Sequence, residues 1–226
     1  VALLGQGAIA MWWDMAPEHR VEFEDWHTHE HFPERMGIPG FRRGSRWSAV
    51  DGGEGFFVMY ELEAYETLVS PAYLARLNAP SPWSTRMMPH HRNMVRSQCR
   101  VLESRGGALS RYVLTLRLSP VEDASEALRS HFGRLAEQLS NRPGIAAGHL
   151  LQNQTPQLAM TTEQKIRGGP DPTADWIFLA CGYDRAALEA LLQDELCAEA
   201  LKIAGAASGG VSGLYALSHA NTAEDI

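Results

Sequence analysis

The sequence predicts an α+β fold built from two copies of a β-α-β-β-α-β unit, one over residues 1–105 and one over 108–220. Three observations carry this. Strand-like apolar runs alternate with helix-length segments in the same order twice. A Pro-Gly turn recurs at the same point of each copy, as Pro39-Gly40-Phe41 and Pro143-Gly144-Ile145. Finally, GAIAMWW and GFFVMYEL are apolar on both faces, whereas a sheet with helices on one side only should alternate. The economical cover for the second face is the sheet of the other copy, packed face to face.

In the first copy, Gly7 to Met15 is nearly continuous apolar sequence and reads as a strand. Ala16-Pro17-Glu18 opens a helix with Pro near its first turn. That helix runs to about Arg35, where Pro33, Gly37 and Pro39 kink and stop it. Phe41 to Val50 and Gly55 to Leu62 form a hairpin across Asp51-Gly52-Gly53. Ser70-Pro71 and Ser81-Pro82 each place a cap and an N1 proline before a short helix, AYLARL and then WSTRMM. Arg92 to Leu102 is the fourth strand, and Gly106-Gly107 separates the copies. The second copy repeats the order with strands Tyr112–Leu118, Ile145–Gln152, Asp175–Gly182 and Val211–His219 and helices Asp123–Ser140 and Arg185–Ile203. Between its inner strands lies a long insertion, Asn153 to Thr173, rich in Pro and Gly and read as a loop of unknown role. The β-α-β-β-α-β order is that of a ferredoxin-like unit.

With 45% hydrophobic residues, the chain can build a substantial core. No run approaches the length of a membrane span. The first residues show neither a basic leader nor a small-residue cleavage site, so no export signal is expected. Three cysteines without metal spacing, Cys99, Cys181 and Cys197, suit small buried hydrophobes of a reducing compartment, and the cytoplasm is the expected location. A net charge of -7 with scattered basic residues argues against nucleic acid as a partner. A membrane partner is likewise not expected, and a small-molecule ligand is.

The stretch Val21 to Gly37 stands out. From Phe23, the core-facing positions of a helix fall on Phe23, Trp26, His27, Glu30 and His31, so half of a stripe that should be apolar is ionisable. His29 falls on the opposite face. His27 and His31 are helix-surface neighbours, as are His27 and Glu30, which suits a shared proton network near neutral pH. A structural hydrogen-bond cluster is the competing reading. The corresponding stripe of the second copy, Leu128, His131, Leu135 and Leu139, is mostly apolar, which favours a site in the first copy only.

Other residues fill in a candidate lining. Trp47 shares a strand face with Phe41, Arg43 and Ser45 by simple alternation, a mixed surface that suits a ligand cavity. Arg35 either pairs with Glu34 or Glu30 or meets a substrate carboxylate. The other aromatic residues, Trp12, Trp13, Trp83, Phe56 and Phe57, are expected in the core. Asp14 reads as a turn carboxylate, and His90-His91, beside Pro89, as loop surface. The i, i+4 histidines could hold a metal or ligate haem, but H-E-x-x-H spacing and a clear third ligand are missing, so neither is expected at His27 or His31. There is no G-x-G-x-x-G, Walker loop or G-x-S-x-G.

The motif W-x3-E-H-x-P-x-R followed by I-P-G-F is carried by Trp26, Glu30, His31, Pro33, Arg35, Ile38, Pro39, Gly40 and Phe41. With Ser70-Pro71-Ala72-Tyr73 and Pro82-Trp83, it resembles the dimeric α/β-barrel superfamily, and more narrowly the EthD-like bacterial proteins. The second copy shares only topology and the Pro-Gly turn. The resemblance implies a tandem two-repeat chain forming the barrel within itself, with room for a homodimer of the whole chain. It implies cofactor-independent oxygenation, isomerisation or cyclisation of a small apolar or aromatic molecule. On that reading His31, His27 and Glu30 are the catalytic group, and Trp26, Trp47, Arg43, Arg35 and Phe23 bind substrate. A binding or stress-associated module without turnover is the alternative.

Overall fold

A computed structural model describes residues 3–107 and 109–226. Val1 and Ala2 of the first expected repeat and Ala108, the first residue of the second, lie outside the described residues. The strands are β1 (Gly7–Asp14), β2 (Phe41–Ala49), β3 (Gly55–Leu62), β4 (Arg92–Gly106), β5 (Tyr112–Leu118), β6 (Ile145–Asn153), β7 (Trp176–Gly182) and β8 (Val211–Thr222). They hydrogen-bond in the order β1-β3-β2-β8-β5-β7-β6-β4, a closed antiparallel barrel. This is the expected α+β architecture. The chain divides into two compact units, one of 4–99, 154–173 and 218–226, the other of 1–3, 100–153 and 174–217.

In the unit that begins at Leu4, β3 lies between β1 and β2. Alternation sends Ile9, Met11, Trp13, Phe56, Val58, Tyr60 and Leu62 into one cluster with Phe23, Trp26, Phe32 and Met36 from the helical segment. The expected single helix is three pieces: α1 (Pro17–Trp26), a π turn (His27–His31) and α2 (Phe32–Met36). The Phe32 amide donates to the His27 carbonyl, five residues back. Pro33 supplies the local cause, since it has no N–H for the preceding turn and its ring crowds the carbonyl four residues earlier. Gly40 follows with φ of 92° and Gly144 of the other unit with φ of 85°, so both Pro-Gly turns use a backbone state closed to most residues.

Two expectations are corrected here. A bulge between Phe41 and Arg43 breaks the simple alternation of β2. Phe41 joins the core with Tyr60 and Tyr73, while Arg43 pairs with Glu61. The two therefore do not share a face. The insertion is also not a bare loop: Thr161 and Gln164 form a reciprocal capping box that starts α6 (Thr162–Arg167), and Gly168 ends it at φ 102°. Its flanks are hydrogen-bonded to this same unit, Gln154 N to Gln98 O at 2.8 Å and Arg96 N to Pro172 O at 2.8 Å. Two short helices, α3 (Pro71–Asn78) and α4 (Pro82–Met87), are capped by Ser70 and Ser81 as expected.

In the other unit, β5 and β6 flank β7. Helix α5 (Ser125–Leu139) buries Leu128, Phe132, Leu135, Ala136 and Leu139. Phe132 stacks on Phe178 with ring centroids 4.6 Å apart, and His131 is only half-buried beside it. The inward place expected for His131 thus belongs to Phe132, one residue on. The last helix is broken into α7 (Arg185–Gln193) and α8 (Ala198–Ala204), which lets Leu196 drop into the core.

Candidate functional site

A small cavity of about 40 Å³ lies within the unit that begins at Leu4. Its floor comes from β1 and β3 through Ile9, Met11, Trp13 and Tyr60. The π turn contributes His27 and His31, and α2 contributes Arg35. His91, Met94 and Arg96 enter around the start of β4, and α6 closes one side with Glu163 and Arg167. The π turn matters geometrically. It brings the His27 and His31 rings into a stack, with centroids 5.4 Å apart and planes 26° apart. Trp26 covers His31 at 4.5 Å, and Trp13 covers His91 at 4.9 Å.

The three imidazoles are held neutral. Burial pushes the His27 pKa well below its ordinary value, followed by the Arg46 charge. For His31, burial comes first and Arg35 second. Burial also lowers His91, to about 4, with Arg167 adding to the effect. Hydrogen bonds then fix two tautomers. Arg46 Nη1 sits 3.4 Å from His27 Nδ1, and a guanidinium can only donate, so Nδ1 accepts and the His27 proton is on Nε2. His91 Nδ1 lies 3.1 Å from the Met88 carbonyl, which can only accept, so His91 carries its proton on Nδ1 and its lone pair on Nε2.

Several residues of the lining carry buried polar atoms without partners. Among the described residues, Trp13 Nε1, His31 Nδ1, Arg35 Nη1 and Tyr60 Oη are buried and unpaired, and all four residues line this cavity. A buried polar group left unpaired costs about 1 to 3 kcal/mol, so four in one place mark a site that a ligand or water completes. Burial raises the Tyr60 pKa, so its phenol stays protonated. Arg35 is paired with Glu163 on its other terminal nitrogen, Nη2. Arg167 is held by Asp171 at 2.7 and 3.1 Å, and Arg96 Nη2 donates to Tyr73 Oη at 2.6 Å.

A shared metal does not suit the pair of histidines. Lone pairs lie in the ring plane, and two stacked rings 5.4 Å apart do not aim them at one ion. Arg46 engages one of those nitrogens, and no group of three or more His, Cys, Asp or Glu is placed to hold a metal among the described residues.

The expected site residues are thus only partly brought together. Trp26, His27, His31 and Arg35 line the cavity, and His29 is exposed. Glu30 is turned away from both imidazoles. Its Oε1 accepts from Trp26 Nε1 at 3.1 Å and from Ser81 and Ser84 of the α4 start. Glu30 therefore anchors Trp26 rather than touching a histidine. Phe23 packs behind His27 in the core, 5.2 Å between centroids. Arg43 is locked to the buried Glu61 by bonds of 2.7 and 2.9 Å, and Trp47 stacks on Phe57 at 5.3 Å; neither lines this cavity.

Sequence reasoning missed several lining residues. His91 is in the lining rather than on a surface loop. Glu163 and Arg167 were hidden in the insertion, although T-x-x-Q at Thr161–Gln164 is a readable helix start. Trp13 was assigned to plain core and Tyr60 only to the strand Gly55 to Leu62, and their unpaired polar ends could not be read from spacing.

No protein-family model matches the chain, and no curated protein is similar to it in sequence. Solved structures do match. An anthrone oxidase-like protein aligns with a TM-score of 0.63 at 15% identity, over 96% of this chain and 93% of that one. A monooxygenase-type protein from Fusobacterium nucleatum aligns at 0.62 and 8% identity, over 96% and 95% of the two chains. A ferredoxin-fold protein from Listeria monocytogenes, described as related to antibiotic biosynthesis monooxygenases, aligns at 0.51 and 10% identity, over 95% and 96%. At such identities the likeness concerns the fold. The chain has the ferredoxin-like dimeric α+β barrel fold of these monooxygenase-like structures.

Proposed function

We propose that the chain is a cofactor-independent enzyme, of the EthD-like kind its helix motif resembles, that oxygenates or isomerises a small aromatic or apolar molecule. One observation carries the reading: three neutral imidazoles and four residues with unpaired buried polar atoms line one cavity, together with aromatic and aliphatic side chains and the charged Arg96, Glu163 and Arg167. His31 is the assigned base. Removing a proton from an activated C–H or O–H of the substrate leaves a carbanion or phenolate. In an oxygenation the carbanion passes an electron to dioxygen, the two radicals join in a C–O bond, and the peroxide takes the proton and loses water by O–O cleavage to leave a carbonyl. In an isomerisation the proton returns to another atom of the substrate. His27, with its proton on Nε2, serves as a donor, and His91 Nε2 offers a second lone pair. Glu30 is a positioning residue, acting through Trp26. The protonated form of His31 is disfavoured by burial and Arg35, so the acquired proton is readily given back.

The test is oxygen uptake with a panel of activated carbon acids and phenols, anthrone among them because one structural relative is described as anthrone oxidase-like. His31→Ala should abolish uptake while the melting temperature stays within a few degrees. Full activity, or unfolding, in that variant overturns the assignment. A binding module without turnover is the second reading, favoured by the lowered basicity of all three imidazoles. It predicts tight binding of panel members with neither oxygen uptake nor isomerisation.

A further inference from the structure

The reading of this cavity as a ligand site leaves the ligand's chemistry open, and the unpaired atoms narrow it. Trp13 Nε1 and Arg35 Nη1 can only donate, and Tyr60 Oη, kept protonated, is a ready donor. The charges around them are unbalanced. Three guanidiniums, Arg35, Arg96 and Arg167, face two carboxylates, Glu163 between Arg35 and Arg167 and Asp171 on Arg167. Arg96 bonds to the Tyr73 phenol and to no carboxylate among the described residues. The site therefore carries one positive charge in excess, close to donors with nothing to bind. Such a charge is costly to bury unless an anion accompanies it.

We infer that the cavity selects ligands bearing an anionic oxygen, a carboxylate or a phenolate or enolate, and seats that oxygen on Arg35 Nη1 and Tyr60 Oη. The aromatic or aliphatic remainder lies against Trp13, Trp26 and Met11. Glu163 sets the strength of this preference. It already neutralises Nη2 of the same guanidinium, so it restrains Arg35 and weakens its pull on a second anion. A fully apolar hydrocarbon would leave the donors unsatisfied, and a cationic ligand would meet the surplus charge.

The inference rests on the cavity being a ligand site, and the test separates the two. Benzoate, benzamide and benzylamine have nearly equal size and differ in charge, and calorimetric titration of each at pH 7.5 reads the preference. Benzoate should bind at least tenfold more tightly than benzamide, with no detectable binding of benzylamine. Glu163→Gln should raise benzoate affinity several-fold and leave benzamide unchanged, and benzoate should raise its melting temperature more than that of the parent chain. Tyr60→Phe, which removes only an unpaired hydroxyl, should cut the benzoate preference several-fold. The double variant Arg35→Gln/Glu163→Gln should abolish it. Equal binding of benzoate and benzamide, or a Tyr60→Phe variant with undiminished preference, overturns the anion assignment while the ligand-site reading stands. Binding of none of the three overturns both.

Discussion

Lowering the pH should unfold this protein through its histidines, and the size of the effect follows from the cavity. His91 has a pKa of about 4 when folded and about 6.5 when unfolded. Above pH 6.5 the ring is neutral in both states and its contribution to stability is complete. As pH falls below 6.5 the unfolded chain takes up a proton that the folded chain refuses, so stability declines until the folded pKa is reached. At pH 5 the loss from His91 alone is about 2 kcal/mol, an upper value because the ring is partly accessible. His27 and His31 are shifted in the same direction, and the half-buried His131 and His219 follow them. Glu34, raised by burial, takes up its proton more readily when folded and offsets part of the loss, so the net slope near pH 5 should be about three protons. The depressed carboxylates Glu195 and Asp225 act only below about pH 4.5, outside this window. Against a typical total of about 5 to 15 kcal/mol, the loss is large. Urea unfolding followed by tryptophan fluorescence at pH 8, 6.5 and 5 measures it, and His91→Gln should reduce the slope by about one proton. A midpoint that is the same at pH 5 and pH 8 would refute the assignment of three buried neutral histidines.

Two further substitutions probe the frame of the site. Arg35→Ala removes the closer of the two guanidiniums on the buried Glu163, leaving Arg167 Nη1 at 3.8 Å, and should cost about 3 kcal/mol in chemical denaturation, with much of that loss recovered by adding Glu163→Leu. Gly44→Ala places a Cβ 2.4 Å from Phe32 Cε1 and 2.9 Å from the Tyr60 ring, and the expected loss, measured as a drop in melting temperature, is about 1 to 3 kcal/mol.

The strand pattern, the repeated Pro-Gly turn and the absence of one-sided alternation in β1 and β3 were enough to read the barrel from the sequence, because they follow from local backbone chemistry and burial. His27, His31 and Trp26 were legible for the same reason, since helix periodicity places them together whether the turn is α or π. What could not be read depends on contacts distant in sequence. Glu30 answers to Ser81 and Ser84, Arg35 to Glu163, and His91 to the Met88 carbonyl, and no periodicity announces those partners. The bulge in β2 shows the complementary failure: one extra residue between Phe41 and Gly44 moved Arg43 to a different face and removed Arg43 and Trp47 from the expected lining.

The Arg35–Glu163 pair also has a consequence for biosynthesis. Its partners are 128 residues apart, so the cavity wall they complete is absent from a nascent chain until α6 has emerged. Long-range closures of this kind slow folding. A ribosome-bound chain can assemble the histidine helix and β1 to β3 early, yet it holds no finished site. The cavity is thus completed only after α6 has been made, and a product truncated before it would carry the histidines without the finished wall.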